Sequence, residues 1–181
     1  HLLRTKEEYR LYISKIRFDG RVLGEIIRNG VPSGFQNSVI SIANVFVQTN
    51  INAFGKMAMA GCGSYAKIEG FAFLPVTCFT MALTTFVSQN LGAKQYDRAK
   101  KGARFGILCS VAIAELIGFV IYVAAPTLIA AFNSDPSVVH YGVMQARTIA
   151  LFYFLLAFSH CIAAVLRGSG HASIPMVVML C

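Results

Sequence analysis

Residues 105–132 read FGILCSVAIAELIGFVIYVAAPTLIAAF, a run in which Glu115 is the only charged side chain. As a helix rising about 1.5 Å per residue, it exceeds the roughly 20 residues needed to cross about 30 Å of hydrocarbon. Similar apolar runs flank it, from Val31 to Ile51, Ile68 to Asn90 and Ile149 to Leu166, with another beginning at Ile174 and reaching Cys181. The pattern predicts an all-α fold, a polytopic transmembrane helical bundle with four complete spans and the start of a fifth. Composition agrees: of 181 residues 56% are hydrophobic and 13% charged, and the mean hydropathy of +0.61 is too high for an ordinary soluble domain. Because the chain opens at His1 and stops inside an apolar run, it is expected to be a piece of a longer protein. Leu2 to Asn29 has neither the apolar core nor the small-residue site of a signal peptide.

The net charge of +8 is distributed as membrane topology requires. Arg4, Lys6, Arg10, Lys15, Arg17, Arg21 and Arg28 precede the first span, Lys94, Arg98, Lys100, Lys101 and Arg104 follow the second, and Arg167 follows the fourth. These are 13 of the 16 basic residues, and the alternate connections hold only Lys56, Lys67 and Arg147. The positive-inside rule then places the N-terminal segment and the 89–104 loop in the cytoplasm of a multi-pass plasma-membrane protein. A nucleic-acid partner is set aside on the same ground, since the basic residues track the loops rather than forming one patch.

Within the first span Asn37, Ser41, Asn44 and Gln48 fall at i, i+4, i+7 and i+11, an arc of roughly 60° on a helix. Amides facing lipid would lose their hydrogen bonds, so the stripe is expected to face other helices or a wet cavity, as a substrate path or as interhelical glue. Pro32, in Gly30-Val-Pro-Ser-Gly34, is expected in a first turn, with the two glycines, like Gly102 and Gly106, allowing close helix approach. Glu115 lies near mid-membrane, where a carboxylate costs on the order of 3 kcal/mol, so it is either a proton or cation site or a neutral acid bonded to a neighbouring helix. Glu69 shares an arc with Thr80 and Thr84, and is either a coupling residue or the partner of Lys67 or Arg147 at the rim. His160 shares a side with Tyr153 and Arg167 and is either a titrating or a structural imidazole.

Enzyme-like patterns lack their context. Gly61-Cys-Gly-Ser-Tyr-Ala66 formally fits a dinucleotide fingerprint but has no strand before it, and is expected to be a flexible extracellular turn. Cys62, Cys78, Cys109, Cys161 and Cys181 have no paired spacing and read as small packing residues. No catalytic set or metal-ligand spacing is legible, so the expectation is a protein that is not an enzyme and holds no metal.

Ser88-Gln-Asn-Leu-Gly-Ala-Lys94 with Asp97-Arg98 and Lys101-Gly102, preceded by GVPSGFQNSVISIANVFVQTNINAFG, resembles the start of the second lobe of the MATE (multidrug and toxic compound extrusion) family. Leu166-Arg-Gly-Ser-Gly-His171 and Pro175-Met176 resemble that family's loop after the fourth helix of a lobe. The resemblance implies two pseudo-symmetric six-helix lobes of the MOP type, with residues 1–28 as the cytoplasmic linker between lobes and 29–181 as part of the second. It implies secondary active efflux of organic cations or amphipathic drugs and toxins, exchanged for sodium or protons by alternating access. The partners implied are the small-molecule substrate, the lipid bilayer and the first lobe of the same chain, with no cofactor beyond the coupling ion. Some branches carry an acid midway along the first helix of this lobe, where this sequence has apolar and amide residues around Ile40. Asn37, Ser41, Asn44, Gln48, Glu69, Glu115 and His160 are the candidate path residues. Two alternatives stand beside this one: a lipid-linked saccharide flippase, expected to present a cationic cavity, and a non-transporting membrane scaffold.

Overall fold

The computed structural model describes residues 19–180; residues 1–18, and so most of the expected linker, and Cys181 lie outside the described residues. The described chain is helical, in the order α1 (Gly20–Ala53), α2 (Lys56–Ala72), α3 (Leu74–Gly92), α4 (Tyr96–Ala130), α5 (Pro136–Ala150), α6 (Tyr153–Gly168) and α7 (Ser173–Leu180).

Helix starts are set by identifiable caps. Asp19 accepts from the backbone N–H of Arg21 at 2.9 Å and opens α1 well before Val31, which leaves Pro32 inside the helix rather than in its first turn. Asp135 accepts from Ser137 N at 2.8 Å and, with Pro136 in the first turn, opens α5 inside a segment expected to be a connection. At the other end of α6, Gly170 takes φ +80°, a backbone conformation that a residue without Cβ adopts freely. His171 N then reaches back to Leu166 O at 2.9 Å and closes the helix immediately after Arg167.

Two spans are bent. Pro75 cannot donate a backbone hydrogen bond, and α2 and α3 meet at Phe73 with a bend of 40°. Between α5 and α6, Phe152 N turns tightly onto Ile149 O at 2.9 Å and the axis changes by 54°. Among the described helices α4 alone is long and apolar enough to cross a membrane, and each bent pair also passes when its two helices are taken together. The expected spans 68–90 and 149–166 fall within helix pairs that begin at Lys56 and Pro136. The α1 helix is long enough but falls short in hydropathy, because its amide stripe dilutes the apolar residues.

Helix α4 packs with α3, α5 and α6, α2 crosses α5, and α3 crosses α6. The side of α4 turned inward carries small residues, Ala103, Ser110, Ala114, Gly118 and Ala125, whereas Phe105, Leu108, Leu116 and Phe119 are exposed. This is the arrangement expected where the solvent is as apolar as leucine and close packing, not hydrophobic collapse, joins the helices. The main core joins Tyr65, Ile68, Ile121, Ile129, Ala150 and Tyr153, and a second cluster holds Leu83, Cys161 and Ala164. In contrast, α1 buries no residue and touches mainly α7 and α2.

The Gly61–Ala66 segment is helical and partly buried within α2, which corrects the expected turn. A Cβ on Gly61 would lie 2.6 Å from Val138 O and 2.8 Å from Gly142 N, so the α2–α5 crossing brings backbone onto backbone. Gly30 and Gly34, by contrast, meet no neighbouring atom within 4 Å, and the close approach expected of them is not used. Gly61→Ala is therefore expected to cost roughly 1–3 kcal/mol through overpacking, read as a lower melting temperature in detergent. Gly30→Ala, in open space within a helix, is expected to leave it equal or higher; the reverse ranking would refute the crossing.

Candidate functional site

One end of the bundle holds a cavity of about 640 Å³ between α1, α6 and α7. Its polar lining is Ser33, Gln36 and Asn37 from α1 and Ser159, His160 and Arg167 from α6, and its walls include Ile40, Phe158 and Val178. The local folding that produces this is simple. Asn37 and Ile40 lie three residues apart on one face of α1, and His160 and Arg167 lie seven apart, two turns, on one face of α6. Ser33 is turned back on its own helix, its hydroxyl donating to Asn29 O at 2.9 Å. The imidazole of His160 meets the Phe73 ring edge-on with centroids 5.1 Å apart, which fixes it beside the α2–α3 break.

Two of the expected path residues, Asn37 and His160, thus come together here. Ser41, Asn44 and Gln48 continue the α1 stripe beyond the cavity and are exposed. Their polar groups are partly satisfied along the helix itself, Ser41 Oγ donating to Asn37 O at 3.0 Å and Gln48 Nε2 to Asn52 Oδ1 at 2.9 Å. Glu115 is midway along α4 but exposed, beside Leu116 and Phe119 and away from the cavity.

Glu69 belongs to a different cluster. It is half-buried one turn before the α2–α3 break, with its carboxyl beside the Tyr65 hydroxyl. Tyr65, fully buried, shares a hydrogen bond of 3.0 Å with the Tyr153 hydroxyl at the first residue of α6. The break separates Glu69 from Thr80 and Thr84, so the arc they share in a straight helix does not exist; Thr84 Oγ1 instead donates across to Ala164 O at 3.2 Å. Neither expected rim partner reaches Glu69: Lys67 sits 5.4 Å from the centre of the Phe132 ring, and Arg147 lies 5.4 Å from that of Tyr122 with its Nε donating to Tyr122 O at 3.3 Å.

Arg167 is the residue that sequence reasoning undervalued. Read as a loop charge after a span, it is half-buried in the last turn of α6 and lines the cavity. The signal available was its i+7 spacing from His160.

The MatE family model matches residues 32–181 of this chain. The chain belongs to the MatE family of membrane transporters. It is 28% identical over 154 residues to the probable multidrug resistance protein NorM of Thermotoga maritima, covering 85% of this chain and 33% of that protein. To the probable multidrug resistance protein YoeA of Bacillus subtilis it is 24% identical, over 99% of this chain and 38% of the relative. An FAD transporter of Shewanella oneidensis is 23% identical over 83% of the chain and 33% of its own length. A solved MOP superfamily transporter of Pyrococcus furiosus, whose binding pocket is described as reversed in polarity, superimposes with a TM-score of 0.81 at 18% identity, over 86% of this chain and 34% of that one. That likeness is one of fold. The MatE chain thus spans about a third of the length of these relatives.

The tyrosine pair gives a direct test of the cluster at the breaks. Tyr65→Phe or Tyr153→Phe alone is expected to cost about 1 kcal/mol of stability, the usual scale for an interhelical hydrogen bond in a membrane protein. The double variant should cost clearly less than the sum of the two. Strictly additive losses in melting experiments would show that the hydroxyls do not act together.

Proposed function

We propose that this MatE chain forms part of the second lobe of a secondary active transporter that exports amphipathic small molecules, drugs or toxins, in exchange for sodium or protons. The observation that carries the reading is the cavity of about 640 Å³, whose polar groups sit against apolar walls. Its size suits a drug-sized ligand. It also abuts a helix break, as binding sites between transporter repeats commonly do. The two multidrug-named relatives support export of such compounds, and the FAD transporter widens the substrate range the family suggests.

In this reading the basic segment before α1 and the Gly92–Tyr96 turn face the cytoplasm of a plasma-membrane protein, and a first lobe of the same transporter closes the other side of the cleft. Alternating access requires that ion and substrate favour different conformations, since a ligand indifferent to the two states shifts neither. Asn37 and His160 are the path residues the geometry favours. Glu69, half-buried beside Tyr65 at paired breaks, is the coupling candidate favoured over the exposed Glu115. A lipid-linked saccharide flippase is the second reading, because Arg167 makes the cavity cationic. A scaffold is the weakest, having no use for a polar cavity.

Efflux of fluorescent amphipathic dyes from proteoliposomes of the complete transporter, under separate sodium and proton gradients, tests this. Dye leaving against one gradient and not the other is expected, and identifies the ion. No movement under either, in protein shown to be folded, would replace the exporter with the flippase.

A further inference from the structure

The cavity between α1, α6 and α7 has a sign. Among the described residues Arg167 and His160 are its only ionisable lining groups, and no described carboxylate lines it. Each described acid is occupied or placed elsewhere. Asp19 and Asp135 cap helices, Asp97 lies in the first turn of α4, and Glu25 is exposed on α1. Glu69 sits beside Tyr65 on α2, and Glu115 is exposed on α4. Among the described residues Arg167 makes no ion pair or hydrogen bond, although it is half-buried.

A guanidinium in a low-dielectric setting is costly without a counter-charge, and intramembrane charges are normally paired or face a wet cavity. Its planar fork matches carboxylate and phosphate in a two-bond geometry. The imidazole of His160 offers an N–H donor in either protonation state. Across from them Asn37 is exposed, with an amide able to donate, while Ile40, Phe158 and Val178 offer apolar contact. A cation entering this space would meet like charge, which specific sites use to reject wrong partners.

We infer that the α1–α6–α7 cavity binds an amphipathic anion, its carboxylate or phosphate held by Arg167 and His160 and its hydrocarbon body against Ile40, Phe158 and Val178. This deepens the transport reading and rests on it, narrowing the substrate class from amphipathic compounds in general to anionic ones. Two sources share the chemistry, a dissolved amphiphile and a lipid with a phosphate headgroup.

The test uses the complete transporter in phosphatidylcholine nanodiscs and two probes of equal tail length, decyl phosphate and decyltrimethylammonium, each measured against empty discs. Decyl phosphate is expected to bind at least roughly tenfold more tightly. Arg167→Gln should erase that preference while Arg167→Lys keeps most of it. Asn37→Asp, which places an acid on the exposed opposite wall with little risk to folding, should also weaken decyl phosphate by about tenfold. Equal binding of the two probes, or a preference untouched by both Arg167→Gln and Asn37→Asp, would overturn the inference. Phosphatidic acid added to the discs distinguishes the sources: displacement of decyl phosphate supports a lipid headgroup, and undiminished binding supports a dissolved anion. Gradient-driven movement is scored separately. Anion binding without movement would sink the transport reading alone, and movement of the cation with no anion preference would sink the anion site alone.

Discussion

A backbone that stops being helical inside a membrane must find its hydrogen bonds within the protein, because lipid offers none. Two helix pairs of this chain are broken, at Phe73 and at Leu151–Phe152, and the residues beside both breaks belong to the same core. The Tyr65–Tyr153 bond ties the helix leading into one break to the helix leaving the other. Around it Ile68, Val76 and Ala150 exclude solvent, and the Gly61–Gly142 contact sets how closely α2 and α5 approach. Remove that closeness and the two bent spans lose their common pivot.

The bend has a consequence for the site. Because α2 and α3 diverge at Phe73, that ring is left facing α6, where it meets His160. Because α6 starts afresh at Tyr153, its own register decides which side chains point outward from the core. Tyr153, Ala157, Cys161 and Ala164 turn inward, and His160 and Arg167, on a neighbouring strip, are left for the cavity. The position of the Arg167–His160 pair is thus a product of where the helix restarts.

How much of this was legible follows from what each signal measures. The apolar runs report helices in an apolar solvent, and they identify α4, α3 and α6 well. They cannot see Lys56–Gly70 or Pro136–Arg147, where charged and small residues lower the hydropathy although the helices are equally real. Gly61-Cys-Gly-Ser reads as a loop by composition, yet Gly61 serves a crossing whose partner, Gly142, is far along the chain. The same non-locality hid the role of Arg167: one sequence shows a basic residue after a span, while its place in the cavity depends on α1 lying opposite. The stripe on α1 was legible as a stripe, but only Asn37 of its four residues meets the cavity.

What remains of that stripe bears on how the lobe works. Ser41, Asn44 and Gln48 lie on the one helix that buries nothing, attached chiefly to α7 and α2. The chain spans about a third of the length of its relatives, so the open faces of α1 are surfaces on which the rest of a transporter can pack, and a polar stripe there suits contact with other helices or water rather than lipid. Asn37, the first residue of the stripe, faces Arg167 and His160 of α6 across the cavity. If the cavity holds an anion as inferred above, the Asn37 amide is the group of this stripe placed to complete the coordination that Arg167 and His160 begin.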